Sequence, residues 1–124
     1  MQTDNIDSNL NGDDDTFIGR LHEDRFFDKD LFWPLYDEIN SLNGYYSERS
    51  ELPKDLVRKL FKIHGIILSY FTYHFDPIDN YEISNLSEVC YLDFMQRIEC
   101  LFENFGDGQL AESTFDDDIR QNSE

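Results

Sequence analysis

Three histidines and two cysteines are the side chains of this 124-residue chain best suited to holding a transition metal, and the cysteines are also its strongest nucleophiles. Their spacing decides whether they can act together. His64 and His74 stand ten residues apart in a stretch that reads as one helix, which displaces them by about 15 Å. One ion cannot take both unless a third element intervenes, so they read as core or boundary histidines. His22-Glu23-Asp24 lacks the second histidine at i+4 that a zinc-protease helix requires. Cys90 and Cys100 are expected on one helix about 15 Å apart, beyond the ~7 Å limit on Cα separation for a disulfide, and should be free thiols. Asp13-Asp14-Asp15 and Asp116-Asp117-Asp118 lack the alternating acids, the central glycine and the closing glutamate of a calcium loop. No glycine-rich phosphate loop is present. The sequence therefore nominates no catalytic residue, no metal ligand and no cofactor, and the chain is not expected to be an enzyme.

What it does carry is acid. Asp and Glu number 27 against 10 Lys and Arg, a formal charge of −17. Five of the acids fall within residues 1–15 and six within 106–124, where Arg120 is the one base, leaving 16 acids against nine bases between Thr16 and Phe105. The middle is acidic in its own right. Such a surface repels phosphate, because nucleic-acid binding is driven by Lys and Arg that displace counterions. It attracts basic proteins, including those that themselves bind nucleic acid.

The elements that position these charges are helical. Residues 1–15 offer only Ile6 and Leu10 as apolar anchors, too little to offset the entropy of ordering, and read as a disordered acidic leader. Thr16 to Phe27 mixes apolar and charged residues at no clear period around Gly19 and reads as an irregular arm. Asp30 can cap a helix over 31–43, with Phe32, Leu35, Tyr36, Ile39 and Leu42 on one face and Asn43-Gly44 at its end. Pro53 opens a second helix that nothing interrupts until Asp76-Pro77. From Ile63 this helix is apolar almost all round, which predicts that others surround it. Asn85 and Glu88 are spaced as a capping box for a third helix that runs to Phe105 and closes at Gly106. Residues 106–124 repeat the leader's character. The expectation is an all-α protein, a small bundle of three main helices forming one domain over 16–105, with an irregular N-terminal arm and disordered acidic tails. The apolar run from Ile63 to Phe75 is shorter than the ~20 residues a bilayer demands, and the first residues lack the basic start and apolar stretch of a signal peptide. A cytoplasmic protein without a membrane span is expected.

If three helices run up, down and up, the arm near Glu23 shares one end with the loop after the second helix. That end gathers Glu23, Asp24, Asp28, Asp30, Asp76, Asp79 and Glu82 against Arg20, Arg25 and Lys29, a net charge of about −4, with Tyr81 among them. Tyrosine flanked by carboxylates suits an interface with a basic protein. The opposite end carries Tyr45, Tyr46, Glu48 and Glu51 and is the second candidate.

The stretch Phe17-Ile18-Gly19-Arg20-Leu21 through Phe26-Phe27-Asp28-Lys29-Asp30-Leu31-Phe32-Trp33, followed by a helix rich in Leu and Tyr, resembles the opening of small immunity proteins of bacterial contact-dependent growth inhibition and related polymorphic toxin systems. The resemblance implies a cytoplasmic antitoxin that binds the toxic domain of a cognate effector, often a nuclease, and blocks it. No contact residue carries over, because these families diverge at the binding surface. The expected mechanism is stoichiometric occlusion of a basic cleft by the acidic end, without direct contact to nucleic acid or membrane. The alternative is an acidic nucleic-acid mimic that inhibits a DNA-binding or defence protein.

Overall fold

A computed structural model describes residues 2–120; Met1 of the expected leader and residues 121–124 of the expected tail lie outside them. The class is all-α. Five helices follow in order: α1 Asp4–Asn11, α2 Phe17–Glu23, α3 Lys29–Tyr45, α4 Lys54–Phe75 and α5 Tyr91–Glu103, with single 3-10 turns at Leu86–Glu88 and Glu112–Thr114. Among the described residues there is no strand, and no helix is long and apolar enough to cross a membrane.

The three longest helices meet around aromatic rings. Phe32 of α3 and Phe94 of α5 pack edge to face at 4.9 Å, and Phe27, in the turn before α3, meets Phe94 at 5.1 Å. Phe17 of α2 closes on Phe27 at 5.1 Å, and Leu60, Ile63, Ile67 and Phe71 supply the buried stripe of α4. α4 and α5 run antiparallel, since His64 stacks on Phe102 at one end while Phe71 meets Tyr91 at the other.

The segments expected to be irregular or disordered are folded. Residues 4–11, assigned to the leader, form α1 with Ile6 fully buried. A glutamate on another helix makes this possible: Glu38 of α3 accepts from the Ile6 N–H at 2.7 Å and the Asn5 N–H at 3.1 Å, satisfying donors at the helix start. Asn9 extends the chain of contacts by accepting from the Ile18 N–H at 2.9 Å. The expected arm contains α2. Thr16 caps it by accepting from the Gly19 N–H at 3.0 Å, and Gly19 does not break it, because that position lies against the preceding turn. A Cβ there would sit 1.9 Å from the Asp13 carbonyl oxygen.

The helix expected over 31–43 is longer at both ends, capped by Asp28 instead of Asp30, and Gly44 continues it. The expected capping box at Asn85 and Glu88 does not form: the two residues stand at a 3-10 turn that no side chain caps, and α5 begins at Tyr91. Asn85 is drawn away by the turn before α3, accepting from the Phe27 N–H at 2.7 Å and donating to the Phe27 carbonyl at 2.8 Å.

Residues 106–120, assigned to the tail, form a strap along α3. The Asn43 side-chain oxygen accepts from the N–H groups of Gly106 and Gly108 at 2.6 and 3.2 Å, Asn40 exchanges two hydrogen bonds with Leu110, and Asp37 takes both nitrogens of the Arg120 fork at 2.7 and 2.6 Å. These three positions of α3 are three residues apart, so one side of the helix presents a polar ladder. At the strap's centre Arg97 of α5 is 1% exposed, bound by Asp117 at 2.6 and 3.2 Å and by Glu112 at 2.7 Å, with the Phe115 ring 4.1 Å from its guanidinium. Burial disfavours the charged guanidinium, but these carboxylates raise its pKa above the ordinary value. In turn the Arg97 hydrogen bonds hold Asp117 below the usual carboxylate range.

Candidate functional site

The acidic end is built on backbone that its neighbours fix. Arg25 takes a left-handed conformation at φ 51°, and its carbonyl accepts from the Ser84 N–H at 2.7 Å. Its guanidinium donates to the Asn80 carbonyl and lies over the Tyr81 ring. The Tyr81 hydroxyl donates to the Leu21 carbonyl at 2.5 Å, and the Ile83 N–H donates to His74 Nδ1 at 2.9 Å. The loop from Asp76 to Asn85 is thereby tied to α2, to α4 and to the turn before α3, so a partner would meet a surface already ordered.

This brings Glu23, Asp24, Asp28, Asp30, Asp76, Asp79, Tyr81 and Glu82 to one end, and they differ in what they offer. Asp28 caps α3 by accepting from the N–H groups of Asp30 and Leu31, and it binds Arg20 at 2.7 Å. Asp24 shares the same arginine at 2.6 Å, and Glu23 lies 3.7 Å from His22. Asp76 and Asp79 each spend one oxygen on the loop itself, accepting from the N–H groups of Ile78 and Tyr81 at 2.9 Å. Asp30 and Glu82 are exposed and make no ion pair or side-chain hydrogen bond among the described residues. Tyr81 is half-buried against Tyr70 and Tyr73, and burial raises its pKa well above the ordinary value. It holds the loop in place and leaves little of itself to a partner.

At the opposite end Tyr45 and Tyr46 pack edge to face at 4.8 Å, with the Arg49 guanidinium 3.8 Å over Tyr45. Tyr46 reaches the core, while Glu48 and Glu51 are exposed. A cation already covers the tyrosine face that this end would show a basic partner.

Exposed apolar side chains supply the rest, two of them, Leu68 and Phe75, on the stretch of α4 expected to be surrounded. α4 is not surrounded: Phe61 is 73% exposed, Leu68 38% and Phe75 57%, and beyond the helix Ile78 is 89% and Leu92 70% exposed. Phe75 and Ile78 are next in sequence to Asp76 and Asp79, with Glu82 four residues beyond Ile78, and the Phe75 ring lies 5.7 Å from Tyr91 of α5, so the acidic end exposes apolar side chains as well as carboxylates. Along α4 toward its start, a groove of about 430 Å³ opens between α4 and α5, lined by Leu52, Val57, Phe61, His64, Phe102 and Phe105. His64 closes its side by bonding Glu99 at 2.9 Å. An apolar helix is ambiguous in sequence between burial and an unpartnered face; the unrelieved apolar run after Ile63 was the available signal.

His22, His64 and His74 bond Tyr70, Glu99 and the Ile83 N–H respectively, and both cysteines are free. Among the described residues no three His, Cys, Asp or Glu side chains gather as a metal site would require. What the acidic end offers is a backbone fixed by its neighbours, exposed apolar side chains and exposed carboxylates. No protein-family model, no curated protein and no solved structure matches this chain.

Proposed function

We propose that this chain is an immunity protein, a stoichiometric inhibitor that neutralises a cognate toxin domain by covering its basic cleft, and that a nuclease is the toxin it fits. The observation that carries the reading is that Phe75 and Ile78 are exposed in the same short stretch as Asp76, Asp79 and Glu82, on backbone that the loop's own hydrogen bonds anchor. In such a site the two apolar side chains are the anchors that exclude water and slow dissociation. The carboxylates steer a basic partner and set the salt dependence of association. Asp30 extends the acidic rim from the start of α3, while Arg20 already offsets Asp24 and Asp28. The resemblance of residues 17–33 to immunity proteins agrees with this reading.

The test is capture of a partner by the tagged chain from its own cells, followed by expression of that partner alone and together with this chain. A partner that kills alone and is silenced at one-to-one stoichiometry supports the reading; a harmless partner, or killing that co-expression leaves intact, overturns it. With such a toxin in hand, Asp76→Asn, Asp79→Asn and Glu82→Gln combined should slow association and flatten its salt dependence. Ile78→Asp should instead speed dissociation.

A further inference from the structure

We infer that α4 pairs antiparallel with α4 of a second copy of this chain, through a seam of Phe61, Leu68 and Phe75. The three stand seven residues apart, two helical turns each, so they share one side, and all three are exposed. Gly65 and Thr72 lie between them. A Cβ at Gly65 would meet nothing within 4 Å, so packing within the chain gives no reason for a residue that weakens an exposed helix interior. A helix laid across it does. The order Phe61, Gly65, Leu68, Thr72, Phe75 reads nearly alike from either end. Turned about Leu68, Phe61 of one copy meets Phe75 of the other, and Gly65 faces Thr72.

Charge fixes both the occupant and its direction. Lys54 and Lys62 flank the Phe61 end, where Asp55 already takes Arg58 at 2.7 Å and Glu103 lies across the groove, while Asp76, Asp79 and Glu82 flank the Phe75 end. Both sets lie on the side of α4 away from α5: Lys62 and Tyr73 are eleven residues apart, three turns on one flank, and Tyr73 packs on Tyr81 of the acidic loop. An antiparallel pair brings like flanks together and so sets base against acid twice, whereas a parallel pair would turn both charged sets toward the α5 side of the other copy. The same turn carries Phe75 of one copy to the groove beside Phe61 of the other. Two chains of charge −17 repel at long range, but at physiological salt the screening length is about 8 Å, so the charges at the contact decide. The pairing does not rest on the inhibitor reading, but it uses the same Phe75 end and acidic loop, so a second copy and a toxin would compete for that surface; its test uses this chain alone.

Sedimentation equilibrium of the full chain, from low micromolar to submillimolar concentration, should show monomer and dimer. Phe61→Glu and Leu68→Glu should each raise the dissociation constant by about tenfold or more, with helix content unchanged and the thermal midpoint unchanged at concentrations where the parent is monomeric. Lys62→Glu should weaken the dimer and Asp79→Lys added to it should restore it. Direction is read by cross-linking in a Cys90→Ser, Cys100→Ser background: Phe61→Cys mixed with Phe75→Cys should form a disulfide between copies under mild oxidation, and neither alone should. A monomer at the highest concentration overturns the inference. A dimer indifferent to both Glu substitutions, or a disulfide formed by Phe61→Cys alone, overturns it as well.

Discussion

α3 and α4 are the two longest helices, and the rest of the chain treats them differently. α1 lies against both, but α3 also receives the strap on its ladder of Asp37, Asn40 and Asn43, and none of its large apolar side chains before Tyr45 is exposed. α4 keeps Phe61, Leu68 and Phe75 in the open. Apolar content does not separate the two. The difference lies in polar residues on α3 that hold chain segments in place, whereas the open side of α4 has only apolar, small and flanking charged residues. Covering a helix requires a partner's backbone to be satisfied as well as its side chains buried, and the ladder on α3 does this along three turns where α4 offers His74 near its end.

Four substitutions or conditions bear on this contrast, the largest first. Phe32→Ala on α3 empties a fully buried ring site and should cost about 3–5 kcal/mol in chemical denaturation. Arg97→Ala leaves Asp117 buried without its cation and should cost about 3 kcal/mol, with new proteolytic cuts confined to the strap; cuts spread over α4 would contradict the division drawn here.

Acid should loosen the strap before the core. Asp117 is held below the usual carboxylate range in the fold, so the stability it confers is complete above the ordinary value of about 3.9 and is lost as pH falls through the depressed one. Trp33 lies 4.7 Å from the Arg120 guanidinium and 5.4 Å from that of Arg97, so its fluorescence should shift below about pH 4 ahead of the far-ultraviolet dichroism. Asp117→Asn should abolish that lead. The smallest effect is expected from Phe61→Ala, within about 0.5 kcal/mol of the parent, because its ring is already in water. A loss as large as that of Phe32→Ala would mean that α4 is covered in the monomer.

What the sequence disclosed followed from local rules. α4 was legible in span because Pro53 permits its start and Asp76-Pro77 forbids its continuation. The meeting of the Glu23 arm with the Asp76 loop followed from the order of the helices. The terminal segments were illegible because each buries one apolar residue, Ile6 and Ile119, with Leu10 and Leu110 only partly covered, and otherwise relies on polar partners far away in the chain. Glu38 lies 32 residues beyond the Ile6 N–H it accepts from, and no periodicity records that. At the candidate site, composition ranked Tyr81 with the exposed acids, yet its hydroxyl is taken by Leu21. Phe75 and Ile78 were hidden for the opposite reason, since an apolar residue next to a long apolar helix looks like interior until the fold leaves it bare.

The strap has a kinetic meaning as well. It joins Arg120 to Asp37 across 83 residues and Leu110 to Asn40 across 70, so α3 gains its last cover only when remote chain comes home. Closing a long loop costs entropy that grows only with the logarithm of its length, which stability scarcely feels. Folding rate does respond, because it falls as contacts become less local. For a helical protein of this size these remote contacts should therefore make folding slower than in a bundle whose helices are covered by their sequence neighbours, while costing its stability little.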